Sequence, residues 1–407
     1  MSLRLLPLCV LVACSDGPTA TLPDLPGATG AATPLAIVGV SVIPMDTDRV
    51  LPNQTVIVRG GVIASIAPTG HFPLPADAVV IAGAGRYLMP GLTDMHVHLR
   101  RGEATAYVRH GITTVRNMWG YSTLAALSAD IASAAVIGPT VHSASPGVDG
   151  DPPQWPETVL VTATSQVESS VAPLASQGYR WLKVYSRLQP AVFDSVMITA
   201  RAFGMLPIGH VPLSVDLRTA LDAGMHSIEH FTGYDRAVSA TGRSGTSGWA
   251  DAVATRFLEY AQLSVAAGVW NCPTLAIYAH LAEQQHSPAE RDAIVANRRA
   301  FVKALHDAGA RLLVGSDAGI DVVAPGVSLH DELAEFVRAG LTPYEALRLA
   351  TVRAAEFLGR EKLGSIAPGM DAELLLVNGN PLAEIASARS IAGIILRGAW
   401  IPARSLP

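Results

Sequence analysis

Lysine is almost missing from this chain. Its 407 residues carry 29 basic against 34 acidic side chains, a net charge of −5. Only Lys183, Lys303 and Lys362 are lysines; arginine supplies the remaining positive charge. No basic stripe is present, which excludes the electrostatic footprint of a nucleic-acid binder. Charged residues make up only 15% and hydrophobic ones 49%, which excludes a disordered chain. No apolar run is long enough to span a bilayer as a helix. Cysteine is scarce as well: Cys9, Cys14 and Cys272 are all there is.

What is there begins with Met1-Ser2-Leu3-Arg4 and the mostly apolar Leu5 to Ala13. A basic start followed by a short apolar run reads as a secretory signal, residues 1–13. Leu11-Val12-Ala13-Cys14 resembles a bacterial lipobox, whose cysteine is lipidated and becomes the mature N-terminus. Residues 14–34, rich in Gly, Pro, Thr and Ala, form a flexible tether. The chain is therefore expected to be exported and held in the periplasm or outer membrane through Cys14, its only membrane contact. With Cys9 in the signal and Cys14 lipidated, Cys272 stands alone and no intramolecular disulfide can form.

From Leu35 to about Ala82 short alternating strands are separated by turn residues. The middle then alternates strands and helices. Strands are expected at 92–98, 113–115, 139–143, 181–185, 207–211, 227–231, 271–277 and 312–316. Eight strands interleaved with helices predict a (β/α)8 TIM-type barrel over residues 86–363. Strands return at 391–396 and 399–401, so residues 35–85 and 364–407 are expected to form a split small β-sandwich into which the barrel is inserted. Residues 145–153 read as a long loop after the third strand. The Gly/Ser/Thr-rich segment 233–248 is a candidate lid, or else an inert insertion.

The chemistry lies at strand ends. His96 and His98 flank one residue on a strand, so both rings face the same side and can hold a divalent ion. Lys183, His210, His230 and Asp317 end later strands, and strand C-termini converge at one mouth of a barrel. Lys183 is the unusual member. A buried ammonium is costly, and burial lowers its pKa. A neutral amine can add carbon dioxide to give a carbamate, an anionic ligand able to bridge two cations. A lysine pairing with a substrate carboxylate is the alternative.

His96-x-His98, Lys183, His210, His230 and Asp317, in that order, together with Gly364-Ser365-Ile366-Ala367-Pro368-Gly369-Met370-Asp371-Ala372, resemble the amidohydrolase superfamily. Lys183-Val184-Tyr185 and Ile228-Glu229-His230 are similar to the imidazolonepropionase-related, prolidase-like group within it. The resemblance covers about 35–402. It implies two divalent ions, often zinc. One would be held by His96, His98 and Asp317 and the other by His210 and His230, with carboxylated Lys183 and a hydroxide between them. The hydroxide would attack an amide carbonyl, with Asp317 as proton shuttle.

The expected substrate is a small amide, a dipeptide or N-acyl amino acid, met by residues among His142, Tyr185, Arg187, Tyr234, Tyr278 and His330. Lactones, carbamates and phosphotriesters suit the same site. A mononuclear deaminase fits less well: those relatives lack the lysine and carry a glutamate three residues after the strand-five histidine, where this chain has Leu213. Arg116-Asn117 ends strand two, where relatives often have Arg then Asp. Self-association into a homo-oligomer is compatible with the sequence.

Overall fold

The computed structural model describes residues 29–30, 32–320 and 322–406; the expected signal, most of the tether and Cys14 lie outside them. Both ends of the described chain enter one sheet of eight strands. Leu35–Val42 is its pivot. On one side it pairs antiparallel with Leu51–Arg59. On the other side its first half pairs parallel with Val79–Ala82 and its last residues with Tyr87–Pro90. The change of partner falls at Gly39, whose φ of +75° suits glycine, and the register against Leu51–Arg59 slips there too. This strand hydrogen-bonds to both wings, so the N- and C-terminal strands are joined in one hydrogen-bonded sheet. Tyr87–Pro90 continues the sheet through Leu374–Val377 to Ile391–Leu396 and Ala399–Pro402. The terminal unit thus runs on to Gly91, beyond the boundary at 86 expected from the sequence.

Side chains of the C-terminal strands alternate between two cores, as the two-residue period of a strand requires. Leu374, Leu376 and Ile395 join Leu35, Ile37 and Val56 inside the curled sheet. Leu375, Val377, Ile394 and Leu396 face the other way, into the core of the central unit. That unit is α/β with parallel strands. Leu92–Val97, Ile112–Asn117 and Thr140–Ser143 form one sheet. Trp181–Val184, Leu206–Gly209, Ser227–Glu229, Trp270–Cys272 and Arg311–Leu312 follow in order in another. Backbone bonds run between the two sheets at both seams: Ser145 N donates to Trp181 O (2.9 Å) and Met95 N to Val314 O (3.0 Å).

Helices pack outside these strands. The longest, Pro288–Asp307, starts on Ser287, which accepts from Glu290 N while Glu290 reaches back to it, with Pro288 in the first turn. Its inward stripe is Ile294, Arg298, Phe301, Val302 and Leu305, at helical spacing. No helix among the described residues is long and apolar enough to cross a membrane. Two expectations shift. The strand foreseen over 271–277 ends at Cys272, and a helix, Leu275–Gln285, begins after Thr274 turns into the left-handed region (φ 50°). The 233–248 segment folds into two short helices, Tyr234–Val238 and Gly245–Ala250.

Candidate metal centre

His96 and His98 leave the strand Leu92–Val97 on the same side, their ring centroids 5.6 Å apart. His230 follows the strand Ser227–Glu229 and lies 4.5 Å from His96 and 5.1 Å from His210, centroid to centroid. Asp317 closes the group: its Oδ1 is 3.2 Å from Nε2 of both His96 and His98, and its Oδ2 is 3.8 Å from His230 Nδ1. His230, Phe231, Thr274 and Asp317 all have φ between 50° and 61°, a strained cluster of the kind that collects at functional sites. Lys183, 1% exposed, lines the same cavity. Room for its stem comes from Gly209, where a Cβ would sit 3.0 Å from Lys183 Cδ.

Each ring has its Nδ1 engaged. His96 Nδ1 meets Glu229 Oε2 at 2.9 Å, His210 Nδ1 meets Ser186 Oγ at 2.8 Å and His230 Nδ1 meets Thr274 Oγ1 at 2.7 Å. His98 Nδ1 has a longer contact, 3.4 Å, with Tyr121 Oη. A second partner on the far nitrogen is how proteins orient metal-binding imidazoles. Burial drives His96 down to about 3, and His210 and His230 well below the usual imidazole value. Burial thus favours the neutral form of His96, His210 and His230, the form a cation needs. Neutral His96 has one proton, and a carboxylate can only accept it, so His96 donates from Nδ1. Its Nε2 lone pair then faces the Asp317 carboxylate, acceptor against acceptor. His96 Nε2, His210 Nε2 and Asp317 Oδ1 are buried with no hydrogen-bond partner. His96, His230 and Asp317 offer ligand atoms within 4.8 Å of one another, and divalent ions at this cluster would satisfy the orphaned atoms, so the donor set fits metal.

Charge behind the site is arranged for the same end. Burial works to raise the Glu229 carboxyl, but Arg116 and His96 overcome it and hold it well below the usual range. For Asp317 burial likewise opposes, and His230, His98 and Lys183 prevail to lower it. Burial pulls Lys183 down to about 8 and pushes Asp94 up to about 7.

The sequence model of the Amidohydrolase family matches residues 87–401, which include every residue of this cluster. The chain belongs to the amidohydrolase family. Among curated relatives it is 25% identical over 360 residues to adenine deaminase 3 of Rhizobium meliloti (strain 1021), covering 81% of this chain and 52% of that one. The chain thus spans about half the length of the curated relatives it matches over most of its own. Among solved structures it is similar to a Xaa-Pro dipeptidase with bound methionine in the active site (TM-score 0.74, 21% identity, 91% of this chain and 100% of that one). It is also similar to bottromycin amidohydrolase (TM-score 0.73, 25% identity, 92% and 88%).

In this amidohydrolase the six expected ligand residues all line one cavity of about 460 Å³. The expected substrate contacts do not gather there to the same degree. Tyr185 lines the cavity, stacked on His210 at 4.1 Å. Tyr278 stands behind His230, 5.9 Å between centroids, with the Arg298 guanidinium 3.9 Å from its ring. Arg187 turns outward to Pro152 O. His142 packs edge-on to Trp181, Tyr234 is buried against Phe231 and Phe301, and His330 Nε2 donates to His110 O; none of these three lines the cavity. The face each presents is fixed by packing partners far away in sequence.

Several residues went unread. Glu229 orients His96 and is itself held by Arg116 Nη2 (2.9 Å) and Ser227 Oγ (2.5 Å). Asp94 accepts from Ser316 N (2.9 Å) and Ser316 Oγ (2.5 Å), tying the first histidine strand to the Asp317 turn. Asn117 is structural: its Oδ1 accepts from Leu99 N (2.9 Å) and its Nδ2 donates to Trp119 O (2.6 Å). Glu229 carried a signal, as the charged residue directly before His230 in the strand Ser227–Glu229. Trp155 from the 145–160 loop also lines the cavity, so this loop, not 233–248, overhangs the site.

Proposed function

We propose that the chain is a binuclear metal-dependent hydrolase of small amides, a dipeptide or N-acyl amino acid, built on a closed (β/α)8 barrel. The observation that carries this is a fully buried Lys183 among four histidines and Asp317 in one cavity. His96, His98 and Asp317 would hold one ion, His210 and His230 the other, with Lys183 as a carbamate between them; zinc suits the donors best. Bound there, such ions would activate water and polarise a carbonyl. The chain's own residues do the rest. Glu229 fixes the His96 tautomer. Asp317, kept ionised by its neighbours, accepts a proton at its carboxylate and returns it to the departing amine. Trp155 and Tyr185, joined by a 2.6 Å hydrogen bond from indole to phenol, cover the site and limit water.

The test is amine release from dipeptides and N-acyl amino acids with zinc and bicarbonate, repeated after chelation. Chelator-sensitive release is expected; a preparation holding two metals that cleaves no amide would move the reading to lactones, carbamates or phosphotriesters. Deamination is the second reading, favoured by the names of the curated relatives. Against it, the position three after His210 is Leu213, 57% exposed and without a proton to give. Ammonia release from adenine would reverse the order. Export with a lipid on Cys14 is part of the same proposal, and Cys14→Ser should free the protein from the membrane fraction.

A further inference from the structure

The end of the central unit opposite the metal cluster is built from short segments that lead from a helix into the next strand. Five of them, 177–180, 203–205, 223–226, 268–269 and 308–310, hold no acidic residue. Three exposed guanidiniums stand over them, and each meets a backbone carbonyl. Arg180 Nη1 donates to Leu358 O (3.0 Å), Arg201 Nη1 to Ala223 O and Arg311 Nη1 to Gly268 O (3.3 Å). A carbonyl leaves the positive charge standing. Aromatic rings fix two of them in place: Arg180 lies over Trp181 (5.3 Å) and Arg311 over Trp270 (5.4 Å). Arg353 and Arg360 are close by but are paired, with Glu356 and Asp371. At the adjoining helix ends the acids are Asp222 and Asp307, and Asp307 is paired with Lys303. A chain of net charge −5 thus turns a positive face away from its metal cavity. Phe203, 42% exposed, stands among these segments two residues after Arg201. The described chain starts at the same end. Thr29 N donates to Trp400 O (3.0 Å), and the hairpin that carries Trp400 is tied through Arg397 Nη1 to Gly138 O (3.2 Å), just before the strand Thr140–Ser143.

We propose that this face is a docking surface for anionic phospholipid headgroups, which holds the metal cavity outward from the bilayer. Each guanidinium near a negative lipid surface adds to the attraction, and an exposed phenyl ring suits the headgroup boundary. Phe203 favours lipid over a nucleic-acid duplex, whose phosphates give the ring nothing to enter. From Cys14 to Thr29 the chain reaches at most about 50 Å, so a lipid on Cys14 would keep the face within reach of the membrane. A basic patch alone binds weakly and reversibly, so the face orients the protein and the lipid retains it. This builds on the anchoring reading above; amide cleavage plays no part in it.

The experiment takes the full chain carrying Cys14→Ser, which has no lipid of its own. It measures co-sedimentation with vesicles of phosphatidylcholine, with and without phosphatidylglycerol, at low and at physiological ionic strength. Binding should require phosphatidylglycerol and fade as salt rises. Arg201→Glu with Arg311→Glu reverses two charges and should weaken it about 10-fold or more. Phe203→Ser should weaken it several-fold, and both variants should melt and load metal as before. Arg201→Glu alone, at an exposed side chain, keeps the test open should the pair fail to fold. Equal binding to both lipids, phosphatidylglycerol binding that the charge reversals leave intact, or equally tight binding to duplex DNA would overturn the face. Anchoring is judged apart. No phosphatidylglycerol binding by Cys14→Ser, beside an unaltered chain that stays with membranes, sinks the face and keeps the lipid. Phosphatidylglycerol binding by Cys14→Ser, beside an unaltered chain free of membranes, keeps the face and sinks the lipid.

Discussion

His96 has one proton to give and Glu229 takes it, so everything on the metal side of that ring depends on a residue that touches no metal. Glu229→Gln keeps the shape but can present an N–H to His96 and lose its hold on the tautomer. Metal affinity should fall about 10–100-fold, read by competition with a chelating dye, while the fold persists. Lys183 offers a pH test. Burial lowers its amine to about 8, from an ordinary lysine value above 10. Only the neutral amine adds carbon dioxide, so bicarbonate-dependent metal loading should rise as pH climbs through about 8 and fade below it. An unchanged loading curve between pH 7 and 9 would argue that Lys183 stays an amine. Lys183→Ala should lose metal and activity, with partial rescue by a short carboxylic acid; two metals retained would remove the bridging role.

The helix Pro288–Asp307 reaches the site from outside through Arg298. This guanidinium is fully buried and donates to His230 O (3.2 Å) and Pro273 O (2.5 Å). It ties together two turns in the left-handed region, one carrying His230 and the other Thr274, whose hydroxyl meets the His230 ring. Glu332 accepts from Leu275 N (2.8 Å) and Ala276 N (2.7 Å) and fixes the same turn from the other side. Charge-assisted hydrogen bonds contribute about 1.5–3 kcal/mol each, so Arg298→Met should cost about 3 kcal/mol in urea unfolding and weaken the metal at His230. By contrast Ser287→Ala, at the cap of that helix, should cost about 1 kcal/mol and leave metal binding alone.

Elements of the central unit were legible from sequence because apolar spacing is local; the strands expected at 92–98 and 181–185 fall on Leu92–Val97 and Trp181–Val184. The residues of the candidate site were legible for a different reason. His96, His98, Lys183, His210, His230 and Asp317 each end a strand, and parallel strands deliver their ends to one place. Arg298, Asp94 and Thr274 were not legible, since their roles depend on partners 25 to 222 positions away.

At the scale of the whole molecule, the two termini share one sheet whose C-terminal strands are buried on both faces. Leu375 sits against Gly111, where a Cβ would come within 2.7 Å of it, and Val377, Ile394 and Leu396 join the same core. Deleting residues 391–406 should therefore prevent folding of the distant metal unit as well, giving aggregates by gel filtration. A soluble, metal-binding truncation would show that the terminal sheet is dispensable.

That sheet also sets an order of events. All six residues of the candidate site have been synthesised by residue 317, yet Tyr87–Pro90 must wait for Leu374–Val377 before its edge is paired. At about 5–20 residues per second, the apolar surface around Gly111 stays bare for about ten seconds or more during synthesis. The nascent chain is then a client for chaperones, and slower translation or lower temperature bears directly on how much of it reaches the folded state.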